Sequence, residues 1–367
     1  MWMRRAGSMQ TMGMWVVACL AATGLAASGL SGQAPADMRA VVIDGTTPEV
    51  RRVPIPEPVA GEVRVRVRAA AVNPVDWRSL TMGRSGGPPP GRGGPPDRGG
   101  GPRGGGPARP GGAANPLGIP GFDAAGVIDR LGPGVTGWRV GDEVIAFLDA
   151  RGAYAEYAVA PVDAVVAKPA GISFDEAAGI PTVAFAAYSA VVDIADVQRG
   201  QRVLVHGGAG GVGSAAVQLA KSRGAHVLAT ASARNHAFLR SIGVDEPIDY
   251  TAVRFETVAK DLDAVINTVD AETAARSVST LKRGGILVSI AGQVPTEACA
   301  AAGIRCSMRT MGTPIGEVLR QVVVLVEQGR YDVNVDATFP LEQTAEAWAQ
   351  SQAGRTRGKI IMRVSEP

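Results

Sequence analysis

Residues 203–221 read VLVHGGAGGVGSAAVQLAK. Val203, Leu204 and Val205 make an apolar run of strand length that stops at a cluster of glycines. From Gly213 onward, Ala216, Val217, Leu219 and Ala220 recur at helical spacing. Between them, Gly208, Gly210 and Gly213 fit G-x-G-x-x-G. So tight a turn needs residues free to take positive φ, and a backbone bare of Cβ atoms lets a pyrophosphate come close. The helix start adds unpaired N–H groups and the positive end of the helix dipole. The motif alone is weak, but it lies between strand and helix, and HVLAT at 226–230 supplies a second strand. The stretch is therefore read as a βαβ unit that binds a dinucleotide, with Gly208, Ala209, Gly210, Gly211, Val212 and Gly213 as the phosphate cradle.

The end of the second strand bears on which dinucleotide. An NAD site usually carries an acid there for the ribose 2′-hydroxyl. This chain has ATASARNH, acid-free from Ala229 to His236. Ser232, Arg234 and Asn235 can instead hold a 2′-phosphate, Arg234 by a charge-assisted bond. A solvated helix residue is the rival reading of Arg234. NADPH is favoured over NADH.

Further strands follow at 248–250 (IDY), 263–269 (DAVINTV), 284–292 (GGILVSIAG) and 304–310 (IRCSMRT). Strand–helix alternation predicts an α/β fold with a doubly wound parallel sheet. Ligands of such sheets sit beyond the carboxyl ends of the strands, which places Asn267, Thr268, Ser289 and Ile290 near the nicotinamide. Upstream, residues 38–168 read as a β-rich, barrel-like domain of short strands and Gly/Pro turns. Residues 63–68 alternate Val with Arg and predict a half-exposed strand. A helical link spans 169–195, and the tail reads as a helix and a last strand, GKIIMRV.

A chain of 367 residues with 46% hydrophobic content suits two domains plus extras. Its net charge is +3; Arg4 and Arg5 carry +2 and residues 83–112 carry +4, so the rest carries −3. No nucleic-acid-binding face is expected. Residues 1–34 read as an export signal: Arg4 and Arg5, an apolar run at 14–30, then small residues with Gly32 and Ala34 at the −3 and −1 positions. The expectation is a periplasmic or secreted protein; an uncleaved membrane anchor is the alternative. Removing the signal leaves Cys299 and Cys306, at a spacing that can be bridged but with no framework pattern. His206, His226 and His236 form no metal-ligand spacing, and no metal is expected. In residues 83–112, 22 of 30 are Gly or Pro, which predicts a disordered insertion. It is either a lid or a tolerated surface loop, and the tolerated loop is favoured.

Several segments together resemble one family. NPVDW, GFDAAGVI, VGDEV, GAYAEY, HGGAGGVGSAAVQLAK, GVDEPIDY, LKRGGILVSI and GKIIM occur in the order of the zinc-independent, zeta-crystallin-like quinone oxidoreductases of the medium-chain dehydrogenase/reductase superfamily. The resemblance spans Met38 to about Val364, apart from the insertion. It implies a GroES-like catalytic domain at 38–168, a Rossmann NADP-binding domain at 169–310, and a segment at 311–367 that completes both, with the active cleft between them. Zinc members carry Cys in the segment matching VNPVD and His-Glu in the segment matching GFD. Here no Cys is present and Phe122 and Asp123 stand in place of His-Glu.

The resemblance further implies that Ser232, Asn235 and Tyr250 lie at the 2′-phosphate and that Lys359 is aimed at the cofactor phosphates. Asn73 and Asp76 fall in the motif that lines the substrate cleft. Arg78 departs from the family pattern, in which many members have a tyrosine. The implied activity is NADPH-dependent hydride transfer to a quinone or α,β-unsaturated carbonyl. Asn73, Arg78 or a backbone N–H would stabilise the anion that forms. Tyr154 is a candidate acid, although its Gly-Ala-Tyr strand favours a core role. The partner is a small-molecule substrate, and a homodimer through a Rossmann edge strand is the family's habit. The rival class is an exported nucleotide-binding or redox-sensing protein that keeps the fold without turnover.

Overall fold

Among the described residues, six parallel strands form the first sheet, in the order Glu246–Asp249, His226–Ala231, Arg202–His206, Leu262–Asn267, Leu281–Ser289, Arg305–Met308. The strand order reverses between Arg202–His206 and Leu262–Asn267, and such a switch point is where an open parallel sheet opens a crevice. Val203, Leu204, Val205, Val265 and Ile266 are fully buried, as expected of strands covered on both faces. The glycine turn feeds helix Gly211–Ser222, whose Ala216, Val217, Leu219 and Ala220 face the core. This computed structural model describes residues 37–82, 115, 117–149, 152–308 and 312–365. The expected signal sequence at 1–34 and the expected disordered insertion at 83–112 lie outside the described residues.

Among the described residues a second sheet has seven strands. Its order is Val335–Pro340, Lys359–Arg363, Glu62–Val72, Asp123–Leu131, Glu143–Phe147, Val165–Ala167, and Tyr157–Pro161 also pairs with Glu62–Val72. The long strand Glu62–Val72 is central because its first half pairs with Tyr157–Pro161 while its end pairs with Lys359–Arg363. Val63, Val65 and Val67 are buried as the alternation predicts, but Arg64 is buried too. Its guanidinium is held by Asp129 at 2.7 Å and Glu57 at 2.9 Å, which satisfies the charge that burial would otherwise strand. The half-exposed reading of this strand is thus corrected at Arg64. A hairpin of Asp37–Asp44 and Thr47–Pro54 packs beside this sheet through a bridge from Ala40 to Ala155.

Two local features position the site. The chain leaves Glu62–Val72 into helix Pro74–Met82, with Asn73 just before it, Pro74 at its first position and Asp76 at its third. The Asp76 carboxylate accepts the Asn73 N–H at 2.8 Å, the acid-to-cap half of a capping box. In the linking segment, Ser173 and Glu176 form a full capping box for helix Phe174–Ala178. The next helix, Pro181–Tyr188, has no cap from its own flank. Asp123, 59 residues away in sequence, accepts its Thr182 N–H at 3.0 Å instead.

Candidate active site

The glycine turn is shaped by contacts that exclude side chains. Gly207 takes φ +68°, Gly208 N–H donates to the Thr230 carbonyl at 3.0 Å, and Gly210 precedes the helix without any side-chain cap. A Cβ on Gly213 would collide with the Gly207 carbonyl, and one on Gly208 would reach 2.8 Å from Ala229 Cβ. These two glycines therefore serve helix–strand packing. Residues 210–213 line a cleft of about 1460 Å³, leaving the bare backbone of the helix start turned to it. The chemistry of that cradle fits a pyrophosphate: unpaired first-turn N–H groups, no competing side-chain cap and no Cβ at three of four positions.

The same cleft brings together Asn73, Arg78, Thr268, Ile290 and Lys359 from the expected set. Three phenylalanines, Phe122, Phe147 and Phe185, also line it. Phe122 and Phe147 stack with centroids 5.7 Å apart and planes 17° apart, and Phe185 continues the wall at 6.3 Å from Phe147. Sequence reasoning noted Phe122 only as a missing zinc ligand; the wall joins residues from three separate segments and has no periodic signature. Arg78 is exposed, its guanidinium 5.0 Å over the Trp77 ring.

Other expected residues stand elsewhere. Asn267 and Ser289 do not line the cleft and are fully buried. Asn267 Nδ2 donates to the carbonyls of Asp270 and Ala291 at 2.7 and 3.1 Å, and Ser289 Oγ donates to Ala291 at 2.7 Å. They shape the loops that present Thr268 and Ile290, because a buried amide or hydroxyl must find local acceptors. Gly208 and Ala209 are likewise behind the cleft surface; the Ala209 carbonyl accepts from Gly358 N–H at 2.9 Å. Ser232, Arg234, Asn235 and Tyr250 lie outside the cleft, at the carboxyl ends of the second and third strands. The pairing of Asp249 with Ala231 sets Tyr250 beside Ser232, and Tyr250 is 62% exposed.

Asp76 does not line the cleft either, which corrects its expected place there. Wholly buried, it accepts from Asn73 N–H and from the Tyr154 hydroxyl at 3.0 Å. Tyr154 is a core residue with no exposure, so the favoured core reading holds and the acid role is withdrawn. Burial pushes the Tyr154 phenol well above its usual value and the Asp76 carboxyl up to about 7.

Lys359 needs a further correction. Its Nζ donates to Asn73 Oδ1 at 2.6 Å and to the Val72 carbonyl at 3.1 Å, rather than reaching toward the glycine turn. The physical reason is countercharge. Burial lowers its pKa, while Asp123 and Asp76 nearby oppose that. Asp123 is itself buried and raised by burial, and it accepts from Asn73 Nδ2 at 2.9 Å and from Thr182 Oγ1 at 2.6 Å. Both ends of the Asn73 amide are thereby engaged, by Lys359 and by Asp123. Sequence spacing gave no signal for Thr182 or for this cluster, whose members are up to 286 residues apart.

Three further residues stand out in the sequence. His206 is buried at the end of the first strand, with Thr230 Oγ1 at 3.2 Å and Ser277 Oγ at 3.0 Å from its ring nitrogens. Burial lowers its pKa to about 3, so it is neutral. Cys299 and Cys306 are joined as a disulfide with Cα atoms 6.1 Å apart, tying helix Thr296–Ala302 to strand Arg305–Met308. Among the described residues no three His, Cys, Asp or Glu side chains gather as a metal site.

Comparison with known proteins bears on this arrangement. The family described as "Alcohol dehydrogenase GroES-like domain" matches residues 59–170, and "Zinc-binding dehydrogenase" matches residues 242–362. The chain is 31% identical over 327 residues to a chloroplast envelope quinone oxidoreductase homolog of Arabidopsis thaliana, covering 85% of this chain and 92% of the relative. An NADPH-dependent alkenal/one oxidoreductase of the same plant is 31% identical over 256 residues, 66% of this chain and 63% of the relative. Among solved structures, the quinone oxidoreductase from Coxiella burnetii superposes with a TM-score of 0.73 at 28% identity, covering 90% of this chain and all of that one. With a shared fold, a glycine cradle and relatives of this kind, the chain belongs to the quinone oxidoreductase branch of the medium-chain dehydrogenase/reductase superfamily and is an NAD(P)H-dependent, quinone/enone reductase-like enzyme.

Proposed function

We propose that this enzyme uses NADPH to reduce a quinone or an α,β-unsaturated carbonyl, without zinc, in an exported compartment. The observation that carries this reading is a single cleft lined both by residues 210–213 and by the stacked phenylalanines. An aromatic wall favours a flat, uncharged π system by offset or edge contacts. The charged residues at the cleft include both signs, Arg78, Glu317 and Arg320 among them, and Arg320 is paired with Glu317 at 2.9 Å. That balance suits a neutral acceptor better than a strongly anionic one.

When bound, the nicotinamide supplies a hydride. The chain's residues hold and orient. Residues 210–213 cradle the pyrophosphate, and Ser232, Arg234, Asn235 and Tyr250 hold the 2′-phosphate. Thr268 and Ile290 flank the nicotinamide end. Because the Asn73 amide is engaged on both sides, it orients neighbouring groups and does not act as the anion donor. Arg78 is the cleft cation best suited to the developing anion. Zinc independence rests on the residue types: Asn73 and Phe122 offer none of the thiolate or imidazole ligands that zinc prefers. Export is supported by the N-terminal sequence and by the Cys299–Cys306 disulfide, since disulfides persist in oxidising compartments.

The test is turnover by mature protein, purified from its native compartment and chelated at length, against a panel of quinones and alkenones. Expected are NADPH oxidation with at least one acceptor class and no loss after chelation. Stoichiometric zinc in the active protein, or activity restored only by zinc, would overturn the zinc-independent part. Absence of turnover with every acceptor would overturn the substrate class.

A further inference from the structure

The short stretch at Gly358 and Lys359 touches both halves of the cleft. On the nucleotide side, Gly358 N–H donates to the Ala209 carbonyl at 2.9 Å, and Gly358 pairs with Gly210 in a parallel bridge. The lysine stem then passes over the turn: a Cβ on Gly211 would lie 3.0 Å from Lys359 Cδ and 3.1 Å from the Gly358 carbonyl. On the substrate side, the ammonium donates to Asn73 Oδ1 at 2.6 Å and to the Val72 carbonyl at 3.1 Å. The strand that begins at Lys359 continues this attachment, since Ile360 pairs with Val72. One residue thus lies along the phosphate cradle by its backbone and stem, and grips the start of the substrate-side helix by its charge.

We propose that Lys359 is a positioning residue that ties the dinucleotide cradle to the Asn73 segment and so fixes the distance over which hydride is transferred. The tether is strong for three reasons. Its hydrogen bonds are charge-assisted. The residue is 4% exposed, so water competes little for the acceptors. Asp123 and Asp76 lie close by and oppose the lowering of its pKa by burial. Transfer is sensitive to such a tether, because a misplacement of about 1 Å can cost on the order of 100-fold in rate. The rate claim rests on the proposed hydride transfer; the tether itself does not.

Two measurements test it on the full chain. The first is amide hydrogen exchange without nucleotide, comparing wild type with Lys359→Met, which keeps the stem and removes the charge. Faster exchange is expected at both 72–76 and 209–213. Acceleration confined to 72–76 would show a local role only and overturn the tether. The second is single-turnover NADPH oxidation with a competent acceptor. At least a tenfold slower transfer is expected, with the NADPH dissociation constant within about twofold of wild type. Unchanged transfer would overturn the proposal, and so would weakened NADPH binding with unchanged transfer, which would make Lys359 a phosphate ligand.

Removing the ammonium leaves Asp123 and Asp76 without countercharge, so Asn73→Ala serves as a second variant that keeps the charge and deletes the main acceptor. It should reproduce the same selective slowing, and the double variant should be no slower than the slower single one. Additive losses would overturn the tether. A wild-type protein that transfers no hydride would sink the proposed function and leave the exchange result to decide the tether.

Discussion

The Tyr154 hydroxyl donates to Oδ2 of Asp76 over 3.0 Å, in a place where neither side chain has any exposure. A carboxyl there resists ionising. Burial lifts Asp76 from an ordinary 3.8 to about 7, so between those values the folded protein holds a proton that the unfolded chain has released. Stability contributed by this group is therefore full below about 4 and is lost as pH rises through about 7. Asp76→Asn keeps an acceptor for Asn73 and Tyr154 and removes the titration. Its melting temperature relative to wild type should rise between pH 5 and pH 8. A constant difference across that range would show that Asp76 is ionised throughout.

His206 has the opposite sign. Its folded value near 3 lies below the ordinary 6.5, so the unfolded chain takes up a proton that the folded protein refuses. The contribution is full above about 6.5 and is lost as pH falls toward 3. His206→Gln keeps polar atoms for Thr230 and Ser277 and does not titrate. In urea unfolding from pH 7 down to pH 4.5, the variant should lose less stability than wild type. Parallel curves would mean that the ring is protonated in place.

Gly213→Ala should damage the fold as well as the site. The added Cβ meets the Gly207 carbonyl, a backbone atom that cannot rotate away. Overpacking of this kind costs about 1–3 kcal/mol, and more where nothing yields. Urea titration should show the loss, and dinucleotide binding should weaken with it. A variant with unchanged midpoint and affinity would mean that the turn shifts freely.

Arg234→Ala addresses the choice of dinucleotide. NADPH should bind wild type at least tenfold more tightly than NADH, which is about 1.4 kcal/mol and within reach of one charge-assisted contact. The substitution should weaken NADPH about tenfold and leave NADH alone, as read by nucleotide fluorescence. Equal losses for both, or equal wild-type affinities, would remove Arg234 from the 2′-phosphate.

The glycine turn and the strands of the parallel sheet were legible because each depends on local pattern: apolar runs of strand length, glycines at fixed offsets and helical spacing after them. Residues 210–213 needed no tertiary knowledge. Asn267 and Ser289 were placed at the correct strand ends, yet their side chains turn back to the carbonyls of Asp270 and Ala291. Strand position fixes where a residue sits, while the search of a buried polar group for partners fixes where it points. Lys359 shows the same limit. Its neighbour Gly358 meets the cradle, but the ammonium follows the carboxylates of the other sheet, and attraction across hundreds of residues leaves no trace in spacing.

Strand Lys359–Arg363 lies between Val335–Pro340 and Glu62–Val72, so the edge of Glu62–Val72 is covered by a strand made long after it. While the chain is being synthesised, Glu62–Val72 has a bare edge from Ala69 to Val72 until residues 359–363 emerge. An unpaired edge of this kind invites pairing with other chains. Closure over so long a separation is also slow to nucleate. Until that five-residue strand emerges, the nascent sheet is unfinished along this edge, open to chaperones and to aggregation alike.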